Sequence, residues 1–354
     1  MTDDHARARA LVFAHGWNAM AYQVLNPGFT HWFDGRGDAL VGYVRWGRTR
    51  VVGGAPVCAE SRVADVVDAF ESEARAARDR VIWFAAGSRL ERLYAGRSSH
   101  AFLPLGAQPW WDPREWDAML RARKRVREQV ARTRRKGVTI AEWPAVRAHR
   151  SPALQDVLDA WLASHGLPPL HFLVEPHTLA RLEDRRVFVA SSGERVIAFM
   201  VATPIPARRG WLIEQWPRRR DAPNGTVERL LDTTMRALRD AGAEQVTLGL
   251  APLSTRAPRA PLPNGRELQP WLRVALAWAR AHGRRFYDFE GLDAFKAKFA
   301  PAWWEPLFAI VDRPRVTPGA LWAIAGAFGQ RSPATLGALA LARAARGEWR
   351  RLRT

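Results

Sequence analysis

Side chains fit for group transfer gather in the C-terminal half of the chain. The run Arg218-Arg219-Arg220-Asp221-Ala222-Pro223-Asn224-Gly225-Thr226 sets three guanidiniums ahead of a stretch with helical period. Pro223 suits a first helical turn, and Asn224 or Thr226 suits an N-cap. The N–H groups of such a turn have no intrahelical partner, so with Arg218, Arg219 and Arg220 they suit a phosphate. Plain surface charge is the other reading. Further on, Lys296 and Lys298 stand two residues apart, which puts them on different faces of a helix. One then faces a site and the other solvent or a phosphate. They stand out because the chain holds 54 Lys and Arg together, and only Lys124, Lys136, Lys296 and Lys298 are lysine. A compact ammonium differs from a guanidinium in reach and hydration. Glu214, Ser254, Tyr287 and Glu290 add carboxylates and hydroxyls to the same half. No histidine pair has metal spacing. Cys58 is the single cysteine, which excludes an intramolecular disulfide and a cysteine-based zinc site.

The elements that must position these residues follow from periodicity. Asp38–Trp46 and Thr49–Val52 predict a hairpin at Gly47, Val63–Arg78 an amphipathic helix, Val81–Ala86 a buried strand, and Ala101–Leu105 another. The second half repeats the plan. Arg186–Ser191, Arg195–Pro204 and Gly210–Trp216 read as strands, Pro223–Ala241 as a helix, Gln245–Gly249 as a strand and Leu268–Ala281 as a helix. Phe286–Phe289 reads as a strand, Leu292–Phe299 as a helix and Pro306–Val311 as a strand. This is α/β (α+β) architecture with two similar halves, a tandem duplication with mixed central sheets flanked by helices. The boundaries expected are 1–145, 146–312, and a basic helical tail over 313–354.

Trp116–Lys136 reads as one long helix closed by Gly137. It carries Arg121, Arg123, Lys124, Arg125, Arg127, Arg132, Arg134, Arg135 and Lys136 against Asp117 and Glu128. That imbalance favours contact with a polyanion over a solvated face, through Arg121, Lys124, Arg125, Arg132 and Arg135. The formal charge of +19 points the same way. Absence of a long apolar run and of a signal peptide predicts a cytoplasmic chain, and its basic charge suits peripheral contact with anionic head groups at the inner face of the cell membrane. In the tail, Ala320–Phe328 and Ala334–Ala344 either lie on an anionic membrane or pack back on the body, the second being favoured.

The order strand, strand, strand, loop, helix, strand resembles the GNAT acyltransferase fold. The loop at 218–226 lacks the acetyl-coenzyme A pattern Arg/Gln-x-x-Gly-x-Gly/Ala, which turns the donor away from acetyl-coenzyme A. Three blocks then carry a more specific resemblance: WLIEQWPRRRDAPNGTVERL, VTLGLAPLS and FYDFEGLDAFKAKFAPAWWEPLF. In identity, order and spacing they resemble the catalytic domain of bacterial phosphatidylglycerol lysyltransferases and alanyltransferases. GDALVGYVRWGRTRVVGGAPVC extends the likeness, so that it spans roughly residues 20–312.

This resemblance implies tandem GNAT-like domains that move an aminoacyl group from charged tRNA to a lipid hydroxyl such as that of phosphatidylglycerol. It implies aminoacyl-tRNA and an anionic phospholipid as partners. It also implies a stand-alone form, without the multi-span flippase of larger members. An aminoacyl ester is already activated and requires no cofactor. The enzyme orients two substrates, holds the α-ammonium and stabilises an oxyanion. Glu214, Asp221 and Glu290 are the carboxylate candidates. Asp221 alternatively caps the helix, and Glu214 alternatively pairs with an arginine. Lys298, the second lysine of the family's FKxKF, is expected near the acceptor phosphate or tRNA end, with Lys296 in the substrate site or solvated. Tyr287 and Ser254 would donate to the oxyanion, or serve as core packing and a turn. Two other readings stay open: a same-fold enzyme with a peptide or soluble acceptor, and a non-catalytic module that binds RNA or membrane.

Overall fold

The computed structural model describes residues 3–164, 170–257, 262–282, 288–329 and Thr335. Its first half runs α1 (Asp3–His15), β1 (Thr30–Phe33), β2 (Leu40–Trp46), β3 (Thr49–Gly53), α2 (Val63–Ala76), β4 (Arg80–Ala86), α3 (Ser88–Ala95), β5 (Ala101–Trp111), α4 (Trp116–Ala122) and α5 (Lys124–Arg135). There follow β6 (Val138–Trp143), α6 (Ala145–His149), α7 (Pro152–Ala163), β7 (Arg186–Ser192), β8 (Arg195–Ile205), β9 (Gly210–Gln215) and α8 (Thr226–Asp240). The last elements are β10 (Gln245–Thr247), β11 (Ala251–Pro252), α9 (Pro270–His282), α10 (Phe289–Ala297), β12 (Trp303–Val311) and α11 (Pro318–Gly329).

The crossover helices form because their apolar residues fall on one stripe. Val63, Val66, Val67, Phe70 and Ala74 are buried along α2, and Val227, Leu230, Leu231, Met235 and Leu238 along α8. Burying each such Val or Leu contributes about 1.5–3 kcal/mol. Each helix links two parallel strands, β3 to β4 and β9 to β10, and every other pairing in the sheet is antiparallel. The unit β2-β3-α2-β4 therefore recurs as β8-β9-α8-β10, and the chain is a mixed α/β protein whose two halves share this unit.

One continuous sheet joins them, in the order β1-β2-β3-β4-β12-β5-β10-β9-β8-β7-β6, with β11 on β5. β6, before residue 145, pairs with β7 of the second half. β12, far along the chain, lies between β4 and β5 of the first. The halves exchange strands, so the sheet crosses the boundary expected at residue 145 in both directions. β12 is buried from Leu307 to Val311, as an inner strand requires.

Other elements differ from expectation for local reasons. The basic segment is two helices, because Arg123 (φ −104°, ψ 76°) leaves the helical region. Pro176–Glu183, which reads as a helix from its sequence, is a loop with one 3-10 turn, Thr178–Ala180. Asp288 caps α10 through Gly291 N (3.0 Å), so Phe289 starts a helix and ends no strand. Residues 286 and 287 of that expected strand lie outside the described residues. α11 packs back on the body: Gly326 abuts the Trp46 ring, and Phe328 meets Phe84 and Phe172 at 5.1 and 5.2 Å. Of the second tail helix only Thr335 is described.

Candidate active site at the split between β9 and β10

β9 and β10 pair through Gly210↔Gln245, Trp211↔Val246 and Leu212↔Thr247, and then part. β9 continues through Ile213, Glu214 and Gln215. β10 stops, because Thr247 Oγ1 donates to Pro109 O (2.7 Å) and accepts from Gly249 N (3.0 Å), while Gly249 turns the chain at φ 71°. The strand then crosses to β5 as β11. That approach needs a glycine opposite: a Cβ on Gly106 would lie 2.2 Å from Ala251 O.

The turn leaves the carbonyls of Gly249 and Leu250 without sheet partners. Lys296 on α10 satisfies both, its Nζ donating to Gly249 O at 2.8 Å and Leu250 O at 2.9 Å. It is only 2% exposed. Burial pushes its pKa down to about 7, opposed by the charge of Asp293 one helical turn away. Arg256 donates to Asp293 Oδ2 (2.7 Å), whereas Asp293 Oδ1 is buried and has no hydrogen-bond partner among the described residues. Ser254, also buried, accepts from Arg256 N (3.3 Å). Lys296, Asp293, Arg256 and Ser254 thus line one side of the split. Trp216 stacks on Phe295 at 5.9 Å across it.

The two lysines diverge as their spacing requires, and burial removes the solvated alternative for Lys296. That residue is the buried one. Lys298 donates to Glu228 Oε1 in the first turn of α8 (2.5 Å), with its Nζ 4.1 Å from the Phe295 ring centroid. Glu214 sits in a buried ion pair: Arg185 Nε donates to its Oε1 at 2.8 Å. Asp221 pairs on the surface with Arg195 (2.7 Å), whose guanidinium holds its carboxyl below the usual range. Asp221 therefore does not cap α8. Glu290 is exposed, 4.0 Å from Arg280. Tyr287 lies outside the described residues. Asp293 and Arg256 were missed in the sequence reading. The available signal was Asp293 three residues before Lys296, on one helical face.

The loop ahead of α8 is held by its neighbours. Arg219 is drawn onto β8, its N donating to Ile197 O (2.9 Å) and its Nε to Val196 O (3.1 Å). Arg218 and Arg220 stay exposed, and with Arg219, Asp221, Ala160, Ala163 and Ser164 they border a cavity of about 360 Å³. No side chain caps α8. Thr226 Oγ1 donates to Pro223 O (2.6 Å), and the cap residue is Gly225 at φ 97°. A Cβ there would lie 2.4 Å from Thr133 Oγ1 of α5, which donates to Asn224 O (3.1 Å). The basic helix thus sits against the start of α8. Arg121, Lys124, Arg125, Arg132 and Arg135 are all exposed. Only Lys124 among them has an acidic partner among the described residues, Glu128 at 3.8 Å.

This arrangement of strands and blocks is that of known proteins. A family model, the C-terminal region of phosphatidylglycerol lysyltransferase, matches residues 9–311. The chain belongs to the phosphatidylglycerol lysyltransferase C-terminal family. The split, α10 and α5 all lie inside the matched span. The lysylphosphatidylglycerol biosynthesis bifunctional protein LysX of Gordonia bronchialis is 26% identical over 234 residues, which are 61% of this chain and 19% of that protein. The chain therefore spans about a fifth of that relative. The C-terminal domain of a putative lysylphosphatidylglycerol synthetase from Agrobacterium fabrum is 25% identical with a TM-score of 0.76, covering 92% of this chain and 97% of that one. L-PGS from Bacillus licheniformis, at 21% identity, a TM-score of 0.75 and the same coverage, shares the fold. In this family member, among the described residues, no His, Cys, Asp or Glu group could hold a metal, and no helix is long and apolar enough to cross a membrane.

Proposed function

We propose that the protein transfers an aminoacyl group from aminoacyl-tRNA to the hydroxyl of a membrane lipid such as phosphatidylglycerol. The family supports a lipid-directed aminoacyl transferase. The observation that carries the chemistry is Lys296, buried where β9 and β10 part, bonded to two freed carbonyls and titrating near neutrality.

A neutral lysine amine has two N–H groups and a lone pair. Both N–H groups serve the carbonyls of Gly249 and Leu250, which leaves the lone pair to accept a proton. In the reaction the lipid hydroxyl oxygen bonds to the ester carbonyl carbon, and the bond from that carbon to the tRNA ribose oxygen breaks. The hydroxyl proton passes to Lys296 and from there to the ribose oxygen. The unpartnered Asp293 Oδ1 suits the α-ammonium of the aminoacyl group. The exposed arginines of α4 and α5, with Arg218 and Arg220, suit the tRNA phosphates. Lys298 acts as a positioning residue that ties α10 to α8 through Glu228.

The test is incubation with charged tRNAs and a lipid extract, followed by mass spectrometry. New aminoacyl-lipids are expected. A product that stays in the aqueous phase would replace the lipid with a soluble acceptor. No transfer to any acceptor, with tRNA binding intact, would overturn the enzymatic reading.

A further inference from the structure

We propose that α9 and α11 form a face that docks the protein on an anionic bilayer. α9 hides one side and bares the other. Leu272 is fully buried and Leu276 partly so, in the cluster that also holds Ala320, Ala323, Leu321 and Ile324 of α11. The opposite side of α9 shows Trp271, Val274 and Trp278, at 39%, 70% and 62% exposure. Spacings of three and four set these three on one stripe. α11 adds Trp322, 48% exposed. The two helices are tied at their base, where Val316 N donates to Gln269 Oε1 at 2.8 Å and Arg266 Nη1 to Pro314 O at 2.9 Å.

Charge selects the occupant. Neither α9 nor residues 313–329 contain an acidic residue; exposed Arg313 and Arg315 flank the residues that tie the two helices, and Arg273 and Arg280 lie on a separate flank of α9 from the tryptophan stripe. Glu267, Asp288, Glu290 and Asp312 flank these segments in the chain, with Glu290 facing Arg280 and Asp312 facing Arg80. Tryptophan prefers the boundary between headgroups and acyl chains, and arginine reaches lipid phosphates beside it. A protein interface would favour the same aromatics, but segments that bear arginine and contain no acid fit a phosphate-bearing lipid surface better. The face takes its purpose from the lipid-acceptor reading above and its evidence from its own geometry.

The experiment is co-sedimentation of the full chain with vesicles of phosphatidylcholine, and of phosphatidylcholine with roughly one third phosphatidylglycerol. Wild type should bind the second and much less of the first. Trp271→Ser with Trp278→Ser should weaken binding at least about tenfold. Arg313→Gln with Arg315→Gln should weaken it about fivefold for each arginine. The arginine pair, lying at the exposed surface, keeps the test decisive should the tryptophan variant fail to fold. Transfer to a short-chain, water-soluble phosphatidylglycerol should be unchanged in both variants. Variants that bind vesicles like wild type, or a wild type that binds both vesicles equally, would overturn the proposal. So would a wild-type dimer that the tryptophan changes dissolve without any vesicle binding. Vesicle binding as expected with no transfer to any acceptor would leave the docking face standing and remove the proposed function.

Discussion

Both halves carry a strand–helix–strand unit with parallel strands, and they treat the end of that pairing differently. In the first half β3 and β4 stay in register over five residues, to Gly53↔Phe84, and Gly54 N then donates to Phe84 O (2.6 Å). The next carbonyl, Ala85 O, accepts from buried Asn18 Nδ2 (3.1 Å), while Asn18 Oδ1 accepts from Met20 N (2.8 Å). Phe29, Phe84 and Phe172 pack there. In the second half pairing stops after three residues, and the freed carbonyls go to Lys296. An amide that cannot titrate seals one unit, and an amine that titrates near neutrality sits in the other. The same topology thus ends its parallel pairing on a buried amide in one half and on a buried amine in the other.

The sharpest way to break this comparison is at its titrating member. Lys296→Met should lower single-turnover transfer by roughly 10²–10⁴-fold, the usual worth of a positioned proton acceptor, with tRNA affinity intact. Next in size is the basic surface. Alanine at Arg121, Arg125, Arg132 and Arg135 should weaken tRNA binding and flatten its dependence on log salt by about 0.7–0.9 for each phosphate no longer neutralised. Filter binding across salt concentrations reads this, and transfer at saturating tRNA should persist. Asn18→Ala probes the sealed half. It strands Ala85 O and should cost about 1–3 kcal/mol in urea unfolding, with transfer per folded molecule unchanged. Loss of transfer there would place chemistry in the wrong half. Smallest of all, Asp221→Ala should leave both melting temperature and transfer at wild-type values, because its pair with Arg195 is open to solvent.

Parts of this were legible in the chain. The unit β2-β3-α2-β4 and its counterpart β8-β9-α8-β10 followed from alternation and from the α2 and α8 stripes, since those patterns are local. The strand exchange was not, because nothing within Trp303–Val311 states that its neighbours will be β4 and β5. The break at Arg123 carries no Gly or Pro to announce it. Spacing showed that Lys296 and Lys298 diverge, but not which is buried. That depends on carbonyls freed about fifty residues earlier, at Gly249 and Leu250. An arginine partner was one reading of Glu214 and a helix cap one reading of Asp221, but only the fold names Arg185 for the first and brings Arg195 to the second.

The most direct test is the pH dependence of single-turnover transfer from aminoacyl-tRNA to phosphatidylglycerol, from about pH 6 to about pH 8, in wild type and Lys296→Met. Lys296 with a pKa of about 7 is protonated below that value and holds a free lone pair above it. The account predicts a wild-type rate that climbs through a midpoint near that pKa of about 7, and a variant that is slow and lacks the inflection. A variant with wild-type rate and the same profile would contradict it.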